Sequence, residues 1–158
     1  RTSSPFGVCL IREGREVGEV AQPHDLGSMA TIVDWDMSQP GLLFITTRGG
    51  PRFRIIERKI QSDRLQTARV SWLDEPPPQP VPEHLAGAVP LLRAIVADAG
   101  PEAFAQPHRF DDATWVGYRL AEILPIPTEA RLRLLELDDT ISRLEIIHAF
   151  LRQHQLID

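Results

Sequence analysis

Residues 76–82 read PPPQPVP, five prolines in seven positions, and no other stretch restricts the chain so strongly. Proline fixes its own φ and offers no amide hydrogen, so such a segment favours extended polyproline geometry and cannot donate enough bonds to join a sheet. The run therefore divides the 158 residues into a lobe at 1–75, a proline-rich linker at 76–82 and a lobe at 83–158. A proline-reading domain is a conceivable partner for it, but patterned sequence on both sides favours an internal spacer.

The first lobe is patterned as strands. FGVCLI (6–11) reads as a short buried strand closed by the turn-like REGRE, with VGEVA (17–21) as its return. In ATIVDWDM (30–37) the odd positions Thr31, Val33, Trp35 and Met37 are mostly apolar and Asp34 and Asp36 alternate with them. Strand side chains alternate with period two, so one dry face is expected. After the Gln39-Pro40-Gly41 turn come LLFITTRGG (42–50), a glycine turn, RFRIIERKI (52–60) and LQTARVSWL (65–73), in which Ala68, Val70 and Trp72 share a face. Phe53 and Ile55 alternate with Arg52 and Arg54, after which the parity changes at Ile55-Ile56; a bulge there is predicted. Five or six short strands predict a small antiparallel barrel or sandwich.

Beyond the prolines the period becomes helical. EHLAGAVPLLRAIVADAG (83–100) is predicted as a helix that Pro90 kinks or splits. Asp111 or Asp112 is expected to cap a helix striped by Val116, Leu120, Ile123 and Leu124. Thr128 is expected to cap EARLRLLEL, and Asp139 or Thr140 a last helix carrying Ile141, Leu144, Ile147 and Leu151. Such stripes need a common surface, and a small bundle supplies one. The fold class is thus α+β, strands first and helices second.

Composition excludes more than it assigns. With 42% hydrophobic and 25% charged residues the chain reads as globular. No apolar run approaches the roughly 20 residues of a membrane span, and the first residues lack a signal peptide's apolar region, so a cytoplasmic address is expected. Cys9 is the single cysteine and reads as a small core residue. The five histidines are scattered, and His148 and His154 are six apart, poor helical geometry for one metal. No phosphate loop, dinucleotide fingerprint, HExxH or GxSxG pattern occurs. The doublets Asp74-Glu75, Asp111-Asp112 and Asp138-Asp139 sit at element boundaries, where carboxylates cap helices or stabilise turns. Lys59, the only lysine, reads as a solvated charge. No enzyme, cofactor or metal is expected.

The order of motifs across both lobes resembles the N-terminal substrate-recognition domain of the Lon proteases. The family's FGV strand, G-T-x-A-x-I strand, D-G-x-L turn, G-x-x-RF segment and A-x-V-x-x-L strand have counterparts in Phe6-Gly7-Val8, Gly27 to Ile32, Pro40 to Leu43, Gly49 or Gly50 through Arg52-Phe53, and Ala68-Val70-Leu73. YRLAEILPIPTEARLRLLELDDTISRLEIIHAFL (118–151) is similar to its C-terminal bundle. Ser28 stands for the usual threonine and Pro40 for the usual aspartate. The F-P-L stretch and later F-E-x-R-Y of the family's opening strands are not found among these 158 residues, and the chain is expected to be the recognition domain alone, without the ATPase and protease modules of Lon. The resemblance implies a PUA-like antiparallel β pseudo-barrel, whose closure depends on those opening strands, followed by a small helical bundle. It also implies that the glycines of GGPRFRI make the turn, that Phe53 fills the core and that Arg52 ties down local carbonyls or carboxylates.

On this basis the chain is expected to be a non-catalytic protein-binding and peptide-binding module. Its expected partners are unfolded or extended protein segments, with a separate ATPase or protease as a further candidate and no membrane. Trp35, Phe44 and Trp115 are candidate apolar contacts, and Arg48, Arg52 and Arg54 candidate polar ones. The alternative is an RNA-binding PUA-like domain that uses the segment from Arg48 to Arg69, where seven basic residues face two acidic ones. The net charge of -5 counts against it. A free-standing peptidase is the third reading, without a nucleophile and base to carry it.

Overall fold

The computed structural model describes residues 4–15, 17–100 and 102–158. The chain forms two compact units, 1–75 and 76–158. Among the described residues no helix is long and apolar enough to cross a membrane.

The first unit is a four-stranded antiparallel meander: β1 (Phe6–Glu13), β2 (Gln22–Asp36), β3 (Phe44–Ile60) and β4 (Gln66–Trp72), hydrogen-bonded in that order. Among the described residues it contains four strands rather than five or six, because β2 and β3 run unbroken for 15 and 17 residues. VGEVA lies outside the strands; β2 begins at Gln22, opposite Glu13. Gly49-Gly50-Pro51 is not a turn. It lies inside β3, where the register passes from Ser28 opposite Arg52 to Ala30 opposite Gly49, one extra residue on β3. Pro51 falls at this bulge, where the β2–β3 ladder is locally interrupted, a position at which a strand tolerates proline. The bulge predicted near Ile55-Ile56 is present, as a register shift between Ile55 and Glu57 against β4.

β1 and β4 are not paired, so the sheet stays open and the pseudo-barrel is not closed. Its core is correspondingly small. Among the described apolar side chains of this unit only Leu26, Ala30 and Phe53 are buried. The Phe53 ring lies across β1 and β2 where both carry glycine: a Cβ on Gly27 would stand 2.6 Å from Phe53 Cζ and 2.5 Å from Cys9 Sγ, and one on Gly7 2.9 Å from the same Cζ. Trp72 meets the ring edge-on at 6.3 Å. Phe53 thus fills the core as expected.

The described residues of the second unit form a 3-10 turn (Glu83–Leu85) and four helices: α1 (Ala88–Ala99), α2 (Ala113–Ile123), α3 (Thr128–Glu136) and α4 (Thr140–Gln153). The segment 83–100 is divided at Gly87 rather than kinked at Pro90. Pro90 falls in the first turn of α1, where an amide has no intrahelical acceptor to lose. Buried positions follow the helical period: Ala88, Leu92 and Val96 on α1; Ala113, Val116, Leu120 and Ala121 on α2; Leu144, Ile147 and Leu151 on α4. Each large aliphatic side chain withdrawn in this way stabilises the unit by about 1.5–3 kcal/mol.

The caps are mostly as the sequence implies. Asp112 accepts from the Thr114 amide and Asp139 from the Ser142 amide. Thr128 does not cap α3; Pro127 holds that position and Thr128 is the first helical residue. The proline-rich segment, expected to be a spacer, is held by hydrogen bonds within the helical unit. Thr114 Oγ1 donates to the Pro77 carbonyl at 2.9 Å, the Gln79 amide to Asp112 Oδ1 at 3.1 Å and the Ala113 amide to the Gln79 carbonyl at 2.7 Å. Few amides suffice, because the segment supplies mainly carbonyl acceptors to the open N-terminus of α2.

Candidate functional site

β1 covers β2 only as far as Ala30, and β4 covers β3 only from Phe53. Beyond these limits β2 and β3 continue alone as a two-stranded ribbon, from Thr31 opposite Arg48 to Asp36 opposite Phe44. Its outer edges carry backbone groups that no strand of the sheet satisfies. A second bulge, between Ile32 and Asp34, increases the local twist. The tip turns through residues 37–43, with Gly41 at φ +82° and the Leu42 amide donating to the Gln39 carbonyl.

This ribbon and its tip expose apolar side chains on both faces. Trp35 is 62% and Phe44 49% exposed, and Val33, Met37, Leu42, Leu43 and Ile45 are exposed with them. The dry face expected for Thr31, Val33, Trp35 and Met37 is therefore absent, because nothing within the sheet lies over this end of β2. Trp35 pairs across the ribbon with Ile45, and Phe44 with Asp36. Opposed residues of an antiparallel pair share a face, so Trp35 and Phe44 stand on the same ribbon but on opposite faces. Asp34 and Asp36 interleave with them; the Asp36 carboxyl is held below the usual range by bonds from the Ser38 hydroxyl and amide.

Sequence reasoning missed Met37, Leu42, Leu43 and Ile45. The signal was present: apolar residues occur at both parities on either side of the tip, which no single buried face accommodates.

The remaining candidates separate. Arg52 is buried and donates to the Asp74 carbonyl at 2.8 Å, so it ties down a local carbonyl as expected and is not a surface contact. Arg48 and Arg54 are exposed, on the ribbon opposite Thr31 and on the sheet opposite Leu26. Trp115 belongs to the helical unit, where it is partly buried 5.1 Å from the Phe110 ring and 5.7 Å from His108. Arg93 lies over the Phe110 ring of that cluster, 4.2 Å from its centroid.

The basic segment is not one surface. Arg58 donates to the Ala21 carbonyl and the Gln66 and Gln22 side chains, and Arg69 lies 3.5 Å from Glu57. These arginines stitch strands together. Cys9 is half-buried, and burial, then the nearby Asp25 charge, push its thiol up, which suits an inert packing residue. Among the described residues no group of three or more His, Cys, Asp or Glu is arranged to hold a metal.

An open antiparallel meander followed by a four-helix unit defines an α+β chain whose β2–β3 ribbon exposes a group of large apolar side chains. The substrate-binding domain of ATP-dependent protease La (LON) matches residues 1–153, and the chain belongs to that family. It is similar to the Lon N-terminal domain protein from Xanthomonas campestris, at 32% identity over 92% of this chain and 75% of that one, with a TM-score of 0.73. The N-terminal domain of the Mycobacterium avium complex Lon protease shares the fold, at 13% identity over 96% of this chain and 91% of that one, with a TM-score of 0.55. No curated protein matches the sequence.

Proposed function

We propose that the chain is a non-catalytic binding module that engages extended, apolar segments of other proteins through the β2–β3 ribbon. One observation carries this reading: Trp35, Phe44 and their apolar neighbours are exposed on a ribbon whose edges have no partner strand among the described residues. Exposed apolar area of this kind marks interaction sites, and an unpaired edge recognises extended backbone by adding a strand to it. Backbone bonding is tolerant of sequence, which suits clients that share unfoldedness rather than a motif. Membership of a substrate-binding family supports the same conclusion.

RNA binding has weaker support, because Arg52, Arg58 and Arg69 are engaged in the scaffold and phosphate contacts need cations free to reach outward. Weak or absent RNA affinity at low ionic strength is expected.

The test is titration of the isotope-labelled chain with a reduced, carboxymethylated protein that cannot fold. Amide signals of 31–36 and 44–50 are expected to shift saturably, and a Trp35→Ser/Phe44→Ser variant to lose the effect while retaining its fold. Unshifted ribbon signals at high client concentration overturn the proposal. Casein is expected to survive incubation with or without ATP; cleavage abolished by Lys59→Ala removes the non-catalytic reading.

A further inference from the structure

The helical unit holds a second apolar surface, apart from the ribbon's residues. An open groove of about 390 Å³ runs between α3 and α4, a volume suited to a few side chains. Ala130 and Leu137 line it from the α3 side, and Ile146 and Phe150 from α4. Ile146 is 52% exposed, although a helix-packing position this close to the core is ordinarily covered. Ala130, the smallest of these side chains, leaves the space open.

One lining residue is charged. Arg133 stands in the wall of the groove, and among the described residues its guanidinium has no ion pair or side-chain hydrogen bond. The other arginines nearby are occupied: Arg131 donates to the Leu124 and Ile126 carbonyls, Arg143 to those of Leu134 and Leu137, and Arg119 pairs with Glu122. Residues 76–158 contain seven arginines against twelve acidic residues, so a polyanion or an anionic membrane is repelled by the unit as a whole. A single carboxylate beside an apolar anchor avoids that repulsion and reaches Arg133.

We propose that the α3–α4 groove binds a protein segment that presents two apolar side chains followed by one carboxylate, the apolar pair filling the groove over Ala130 and the carboxylate pairing with Arg133. The proposal rests on the binding-module reading only in taking a protein segment as ligand; its residues are separate from the ribbon, so either site can fail alone.

Three capped peptides test it against the full chain: Gly-Ser-Leu-Leu-Glu-Ser-Gly and the same peptide with Gln or Lys in place of Glu. The Glu peptide is expected to shift the amides of Ala130, Leu134 and Ile147 and to bind about three- to five-fold tighter than the Gln peptide at low ionic strength. The Lys peptide is expected to bind weakest, and salt to narrow the differences. Arg133→Gln, a change at an exposed position, is expected to equalise the Glu and Gln peptides while leaving apolar binding in place. Ala130→Phe is expected to fill the groove and abolish binding of all three. Equal affinity of the Glu and Gln peptides for the wild-type chain overturns the proposal, as does an Arg133→Gln variant that still discriminates between them. Shifts confined to ribbon amides, or self-association that perturbs the groove amides without peptide, overturn it as well.

Discussion

At the scale of single residues, the β unit depends on what is missing from Gly27. A methyl group there would stand 2.6 Å from the Val8 carbonyl oxygen as well as against Cys9 Sγ and Phe53 Cζ, and a backbone oxygen cannot swing aside as a flexible side chain does. Gly27→Ala is expected to destabilise the unit by about 2–3 kcal/mol through overpacking, and Phe53→Ala by about 3–5 kcal/mol through the cavity it leaves; denaturant titration of the β-sheet signal measures both. In the helical unit His148 reports on pH. Its imidazole is pushed below the ordinary value by desolvation first, then by the Arg152 and His84 charges, with Glu145 lying 3.8 Å from His84 on the same side. A lowered folded-state pKa means that the unfolded chain takes up the proton first as pH falls. This contribution is therefore intact above about pH 6.5 and is lost as pH drops below it. His148→Gln is expected to flatten the decline in melting temperature between about pH 7 and pH 5, and a parallel decline in wild type and variant refutes the assignment.

At the scale of elements, helix ends rather than helix stripes decide how the bundle is held. Asp112 Oδ1 accepts from both the Thr114 and Gln79 amides, so one carboxylate caps α2 and fastens the proline segment. The Thr114 hydroxyl gives its proton to the Pro77 carbonyl, leaving Thr140 to donate across the 3.0 Å hydroxyl pair. Asp112→Ala is expected to cost about 1–2 kcal/mol, read by urea titration of helical circular dichroism; a loss within error would show that solvent replaces both bonds. The cap at Asp112 was legible because carboxylates before an apolar period satisfy free amides. Arg143 was not: the sequence stripe of Ile141, Leu144, Ile147 and Leu151 passes beside it, yet it is fully buried, donates to the carbonyls of Leu134 in α3 and Leu137 just past its end, and lies 4.1 Å from the Tyr118 ring centroid. Burial of an arginine becomes favourable only where another helix ends with open carbonyls and an aromatic face is at hand, and neither is a local property.

For the whole molecule, the distribution of core separates the two units more sharply than their secondary structure does. The buried apolar cluster lies entirely within 85–151, and the bonds from Pro77 and Gln79 place the proline segment with it. A fragment of residues 76–158 is expected to melt cooperatively with helical circular dichroism. A fragment of 83–158 is expected to melt at lower temperature, because it leaves the α2 N-terminus without those partners; equal melting temperatures would return residues 76–82 to the role of a passive spacer. The ribbon belongs to this scale as well, since its exposure results from where β1 and β4 stop rather than from any residue within it.

Local chemistry alone determined the strand-to-helix change of period, the caps at Asp112 and Asp139 and the bulge after Ile55, because each follows from neighbours within a few residues along the chain. Tertiary structure decided the rest. Whether GGPRF turns or runs straight and whether Arg143 is solvated depend on which distant strand or helix lies alongside, and pairing between distant segments leaves no periodic trace in either partner; for Trp35 the apolar residues at both parities gave a trace, but which strand stops short of it did not.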